Sequence, residues 1–273
     1  MIKKLLILLL LCSSVLGQVP YQKPMMGQQI DYLKSTGLVA WWVMNEGTGA
    51  TVQDLSGNGN DGNLVADTHW VGGKFGPCLS FDGSGDYVDL GEGEGITEGQ
   101  PQITVSVWVK SNQNEAKATR DHIVIQDGVV ILRWHTTEAF QWIVYNDSTY
   151  GLVTSNVHAD TNWHHVVGVY NGTYVKLYID GSEEGTPDDL SGNMKSGTAK
   201  KLDISWGTVY SWDGSIDDVM IYNRALSASE VAELYRNPFG MFRPTFSVWW
   251  YSGIGGEPPV TSIPIFMYHY LNH

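Results

Sequence analysis

Apolar and polar residues alternate with a period of two through most of this chain, in short runs separated by clusters of Gly, Asn, Asp and Ser. In the segment 103–110, Ile103, Val105, Val107 and Val109 share one face, and Thr104, Ser106 and Trp108 the other. Val175, Leu177 and Ile179 alternate in the same way with Tyr174, Lys176 and Tyr178. Further strands are predicted over 78–81, 87–90, 122–126, 129–134, 140–145, 150–154, 163–170 and 202–206. The run LVAWWV, residues 38–43, is apolar throughout, as a strand buried on both faces would be. Asn171-Gly172-Thr173 reads as the turn of one hairpin, and Asp82 to Asp86 as the turn of another. No long segment carries a helical period, and strands do not alternate with helices, so a β-sandwich or a closed barrel is expected.

One stretch departs from this pattern. GSIDDVMIYNRALSASEVAELY, residues 214–235, begins as a strand and ends as a short helix. Ser227 is a good N-cap, and Glu230 three residues later completes a capping box. Val231, Leu234 and Tyr235 form the apolar side of the helix, and Asn237-Pro238 ends it. The strand carries two adjacent carboxylates, Asp217 and Asp218. Neighbours on a strand point to opposite faces, so one is expected inward, where it needs a partner, and the other in solvent.

Length and composition add bounds. The 273 residues suit one large β domain with extensions, and 31 Gly with only 16% charged residues favour many turns. Met1 to Gly17 reads as a signal peptide, with Lys3 and Lys4 before the apolar run Leu5 to Leu11, which implies export. Residues 18–36 read as a linker. The tail, 237–273, holds the aromatic runs FSVWWYSGIGG and IPIFMYHYL. Neither is long enough to span a membrane, and self-association through Ile263 to Leu271 is one use for them. Loss of Lys3 and Lys4 with the leader takes the formal charge from −13 to −15, which argues against nucleic acid as a partner. It also leaves Cys78 as the single cysteine, so no intrachain disulfide forms.

The candidate chemistry lies in loops. Ser56 to Gly62 (SGNGNDG) combines permissive glycines with the side-chain oxygens of Asp54, Asn58 and Asn60. That composition suits either a Ca²⁺ site or a loop of Asx turns. His164 and His165 face opposite ways on their strand, one packed and one exposed. Among the aromatics, Tyr210 and Trp212 in SWGTVYSWDG are the expected ligand-stacking pair, because Gly flanks them. Glu183-Glu184 and Asp188-Asp189 read as solvated turn residues, and no hydrolase elbow, zinc-protease helix or P-loop is present.

Five segments in order carry a resemblance: LVAWWVMNEGTGATVQDLSGNGNDGNL, FGPCLSFDGSGDYVDL, ITVSVWVK, WHHVVGVYNGTYVKLYIDG and GSIDDVMIYNRALSASEVAELY. Together they resemble the laminin-G-like jelly-roll domains of the concanavalin A-like lectin/glucanase superfamily, over residues 37–236. The resemblance implies an all-β, two-sheet antiparallel jelly-roll sandwich with one short C-terminal helix. It implies a non-catalytic module that binds a glycan or a surface protein. It also implies one structural Ca²⁺ at the rim, held by Asp54, by Gly57, Asn58 and Asn60 of the turn, and by Asp217, with Asp218 in its place as the second assignment. The rivals are an assembly protein connected through the tail and a divergent glycoside hydrolase. The family's Glu-x-Asp-x-x-Glu strand motif is absent from this sequence, and a pair of carboxylates on the concave face would revive the hydrolase.

Overall fold

The computed structural model describes residues 36–93, 95–113, 121–198, 200–206 and 210–239. The leader and the aromatic tail lie outside the described residues. The architecture is an antiparallel jelly-roll sandwich of two eight-stranded sheets with one helix.

In chain order the strands are β1 (Leu38–Trp42), β2 (Thr51–Val52), β3 (Gly62–Val65), β4 (His69–Gly72), β5 (Pro77–Asp82), β6 (Tyr87–Glu92), β7 (Ile103–Ser111) and β8 (Asp121–Gln126). They continue with β9 (Val130–Trp134), β10 (Ala139–Tyr145), β11 (Tyr150–Val157), β12 (Trp163–Tyr170), β13 (Tyr174–Ile179), β14 (Ser182–Asp189), β15 (Lys201–Ser205) and β16 (Asp213–Tyr222). Helix α1 (Ala228–Arg236) follows. One sheet runs β14-β13-β12-β7-β16-β5-β4, with β1 also on β16; the other runs β11-β10-β9-β8-β15-β6-β3-β2.

Three apolar layers follow from the alternation. Between the sheets lie Val105, Val107, Trp142, Val166, Leu177, Leu202, Ile216 and their neighbours. Gly168 on β12 makes room for the ring of Trp142 opposite, since a Cβ at residue 168 would stand 2.3 Å from that ring. On the outside of the first sheet, Trp41, Val167, Tyr178 and Met220 are covered by Val231 and Leu234 of α1. The capping box of Ser227 and Glu230 forms as expected. On the outside of the second sheet lies a third, smaller cluster of Ile125, Ile131 and Ile143, flanked by Tyr145, Leu152 and Trp206.

Several expectations are corrected. The 82–86 segment is not a hairpin, because β5 and β6 belong to different sheets. It is a corner, held by the buried Asp86, whose carboxylate accepts from Asp67 N at 2.8 Å and Asp82 N at 3.0 Å. Glu183, Glu184, Asp188 and Asp189 lie on an edge strand, β14, rather than in turns. Charged edge strands avoid pairing with other chains, so their pattern hides from a search for apolar alternation. His164 and His165 do face opposite sides, but both are buried. His165 lies under Tyr235, with its ring stacked on Trp108, and His164 sits between Asp180 and Asp160. Cys78 is fully buried on β5, against Gly73.

Candidate functional site

Strands β8, β9, β10 and β15 turn Ile125, Ile131, Ile143 and Asp203 to the outer face of the second sheet, and a register shift in β8 puts His122 there while Ile123 and Val124 join the core. The three isoleucines are buried beneath the half-buried Tyr145, Leu152 and Trp206, and no helix among the described residues covers them. Beside them, Arg133 donates from Nε and Nη2 to Gln141 Oε1, at 2.9 and 2.8 Å, and Gln141 donates on to Thr154 Oγ1 at 3.1 Å.

At one end of this face three rings meet. Trp206 stacks on the buried His122, with centroids 4.9 Å apart and planes 13° from parallel. Tyr210 lies 5.4 Å from His122 and 5.8 Å from Trp206. It is therefore beside His122 on the same side of Trp206, not beyond the far face of the indole. Local bonds fix these rings. Ser205 has a positive φ of 64°, and its Oγ accepts from Trp212 N at 2.9 Å. Ser211 Oγ donates to the Trp206 carbonyl at 2.6 Å and accepts from Gly85 N at 3.0 Å. His122 N donates to the Tyr210 carbonyl at 2.8 Å.

Trp206 also lines an open cavity of about 220 Å³, together with Ile125, Asp127, Lys200, Lys201 and Asp203. Asp203 is 8% exposed, and its Oδ1 is buried without a hydrogen-bond partner. Burial pushes its carboxyl up to about 7, and Asp89, its cross-strand neighbour on β6, pushes the same way while Lys201 opposes. Asp89 moves in the other direction. Burial would raise it, but the hydrogen bonds from Lys201 and Gly91 outweigh that and hold it below the usual carboxylate range. Two opposed carboxyls with diverging acidity therefore stand beside an aromatic shelf.

The second set of residues is the 54–60 turn. Asp54 is buried, and its Oδ1 accepts from Trp41 N at 2.9 Å and Ser56 N at 2.8 Å. Oδ2 accepts from Ser56 Oγ at 2.8 Å and from Asn60 N and Nδ2, both at 3.0 Å. The Val39 carbonyl collects Ser56 Oγ, Asn58 Nδ2 and Asn60 Nδ2 at 3.1, 2.9 and 2.9 Å. Gly57 turns the chain with a φ of 85°.

A family profile described as the concanavalin A-like lectin/glucanases superfamily matches residues 82–232, more than half of the chain. The chain belongs to that superfamily. Comparison with solved structures gives the same fold for this superfamily member. Domain 4 of AbnA, a GH43 extracellular arabinanase from Geobacillus stearothermophilus solved with arabinotriose, superposes with a TM-score of 0.58 at 18% identity. That match covers 72% of this chain and 98% of that one. The binding domain of Paraclostridial Mosquitocidal Protein 1 gives 0.62 at 16% identity, over 75% of this chain and 53% of that one. A Trypanosoma rangeli sialidase mutant displaying trans-sialidase activity gives 0.54 at 16% identity, over 76% and 33%. The superfamily member thus spans about half of the toxin binding domain and a third of the sialidase. No curated protein matches its sequence.

Measured against the residues expected for this superfamily member, the structure assembles one group and separates others. Asp54, Gly57, Asn58 and Asn60 share one turn. Asp217 has different partners: its Oδ2 accepts from Lys74 N at 3.0 Å and Phe75 N at 3.3 Å. Asp218 is not in solvent but 2% exposed, and its Oδ1 accepts from Trp41 Nε1 at 2.8 Å. The reason is a β-bulge: β16 spends an extra residue between Asp217 and Met220 opposite β7, and Asp218 takes a φ of 51°. The bulge breaks the alternation on which one-in, one-out was argued. Trp212 is also not an exposed ring. It is 1% exposed and packs edge-on to Trp134 in the core. Tyr210 is half-buried in the ring cluster. Asp203, His122 and Trp206 were not singled out by sequence reasoning, although the alternation of LDISW already set Leu202 and Ile204 inward and Asp203 outward.

The oxygens of this turn are engaged within it: both Asp54 oxygens and the Val39 carbonyl accept hydrogen bonds. No group of three or more His, Cys, Asp or Glu among the described residues is placed to hold a metal. The turn offers instead one carboxylate, a carbonyl, a hydroxyl and two amides. The amides of Asn58 and Asn60 now present Nδ2, and a half-turn about the last torsion exchanges nitrogen for oxygen. That set is of the kind Ca²⁺ accepts, with water completing six to eight oxygens.

Proposed function

We propose that this chain is an exported, non-catalytic module that binds carbohydrate on the outer face of its second sheet. The observation that carries the reading is the half-buried pair Trp206 and Tyr210, standing with His122 at the edge of an open cavity on that face. A flat indole beside fixed polar groups suits the two sides of a sugar ring, one C–H face and one rim of hydroxyls. The superfamily membership and the arabinotriose-bound neighbour support it. Export rests on the leader at residues 1–17. A structural Ca²⁺ held by Asp54, Asn58 and Asn60 around the Gly57 turn belongs to the same proposal, with Asp217 left to its own backbone donors.

The test is a glycan array probed with the whole chain, with calcium and again with chelator. Binding to a sugar class that survives chelation is expected, together with a lower melting temperature in chelator. A blank array in both conditions removes the binding reading.

A second reading, glycoside hydrolysis, is favoured by one observation, the Asp203–Asp89 pair with its diverging acidities. A retaining hydrolase needs one protonated and one ionised carboxyl about 5–5.5 Å apart. Asp89 is already committed to Lys201 and to Gly91 N, which is poor preparation for a nucleophile. Release of reducing ends from a bound oligosaccharide, abolished by Asp203→Asn, would establish this reading.

A further inference from the structure

The cavity at Asp203 has a charge arrangement that limits what can enter it. Three carboxylates, Asp89, Asp127 and Asp203, and two lysines, Lys200 and Lys201, stand at or beside it. The lysines are engaged: Lys201 pairs with Asp89, and Lys200 lies 3.8 Å from Asp127. Asp203 remains, buried, with an oxygen that has no hydrogen-bond partner. Such an atom calls for a donor, because a buried acceptor without one keeps its full desolvation cost. An incoming carboxylate or sulfate would instead bring a further negative charge among three acidic side chains whose two lysines are already paired, and the ionised form of Asp203 would repel it. The shelf next to Asp203 is Trp206, which neither His122 nor Tyr210 covers on its far face. At about 220 Å³ the space falls below the roughly 300–1,000 Å³ of pockets that enclose a drug-sized ligand. It suits one ring laid in a cleft.

We propose that this cavity is a subsite for one uncharged sugar ring, which donates a hydroxyl to the Asp203 carboxyl and rests a C–H face on Trp206, and that it discriminates against sugars bearing carboxylate or sulfate. The inference rests on the carbohydrate-binding reading and adds a location and a ligand class to it. Among the described residues Arg133 also lies on this face outside the cavity, and its fork donates to Gln141. Selectivity for uncharged ligands therefore belongs to the whole face as well as to the cavity.

The experiment is isothermal titration calorimetry of the full chain with uncharged tri- and tetrasaccharides built from pentoses or hexoses. Uronic-acid, sulfated and sialylated oligosaccharides of equal length are run beside them. An uncharged series is expected to bind, with the acidic counterparts at least about tenfold weaker. Trp206→Ala and Asp203→Ala should each weaken the uncharged ligand about tenfold or more, the loss of one good contact to a ligand ring or hydroxyl. Asp203→Asn keeps an acceptor and the shape of the site, so it should recover most of the affinity and guards against a misfolded alanine variant. Equal or tighter binding of acidic sugars would overturn the inference, as would uncharged-sugar binding untouched by both Trp206→Ala and Asp203→Ala. In those cases the carbohydrate-binding reading itself would stand. Failure of every sugar to bind the unmodified chain would remove that reading, and this inference with it.

Discussion

Asp203 and His164 are both buried ionisable side chains whose contributions fade as pH rises, for different reasons. Asp203 is held neutral in the fold, with its carboxyl at about 7 against 3.8 in an unfolded chain. The charged groups that face it are Asp89, Asp127, Lys200 and Lys201. A raised acid stabilises the fold fully below 3.8, and that contribution drains away as pH climbs towards 7. Asp203→Asn should therefore melt higher than the unmodified protein at pH 8 and lose this advantage by pH 4. Thermal melts at the two pH values check it, and no difference at pH 8 would contradict the burial of the carboxyl. For His164, burial opposes the charged ring, but Asp180 at 2.8 Å and Asp160 at 3.2 Å outweigh it and raise the pKa above 6.5. Its neighbour His158 sits 5.1 Å away and is bonded to Glu184. A raised histidine contributes fully below 6.5 and loses its share as pH rises through the folded value. His164→Asn should destabilise by about 1 kcal/mol at pH 6, and by less at pH 9, in urea titrations.

At the level of elements, regular strands and the capped helix could be read ahead of time, and strand irregularities could not. The alternation of residues 103–110 predicts β7 well although both its faces are buried, because Thr104 and Ser106 on the outer face are kept polar to bond the Arg224 carbonyl and His165. The capping box is a local event within four residues, so Ser227 and Glu230 announce it without tertiary information. Ser227→Ala should cost about 1 kcal/mol in chemical unfolding. The bulge at Asp217–Asp218 is different. It depends on where β16 changes neighbours, from β5 at Ile216 to β1 at Val219, and nothing in the local sequence marks that exchange. The 82–86 corner was hidden for a similar reason, since Gly-rich turns look alike whether they return a strand to its neighbour or carry it to the opposite sheet. The 54–60 turn was legible as a group because all its members lie close in sequence. Asp54→Ala removes a carboxylate that satisfies five donors and should cost about 2–4 kcal/mol, read from denaturant unfolding. The Asp203 site was not legible, because its rings and carboxyls come from β6, β8 and β15 and the loop after it.

For the molecule as a whole, the sandwich determines which face can work. The outer face of the first sheet is covered by α1 through Val231 and Leu234, so it is unavailable to a ligand. No helix among the described residues covers the outer face of the second. The two sheets approach closely at several places, among them Gly168 under Trp142 and Gly151 against Val175. Gly168→Ala should destabilise by about 1–3 kcal/mol, because the nearest neighbour that would have to move is a fully buried indole. Retained stability in that variant would mean that the sheets can separate locally without loss.

Burial of Cys78 has a practical side. Among the described residues it is the single cysteine, and the Gly73 turn closes over its side chain. A thiol reagent can reach it only when β5 lets go of β4 or β16. The rate of labelling under native conditions thus times the opening of the first sheet, without any engineered probe. Saturating sugar should leave that clock unchanged if the ligand sits on the second sheet alone, and slow it if binding tightens the sandwich as one body.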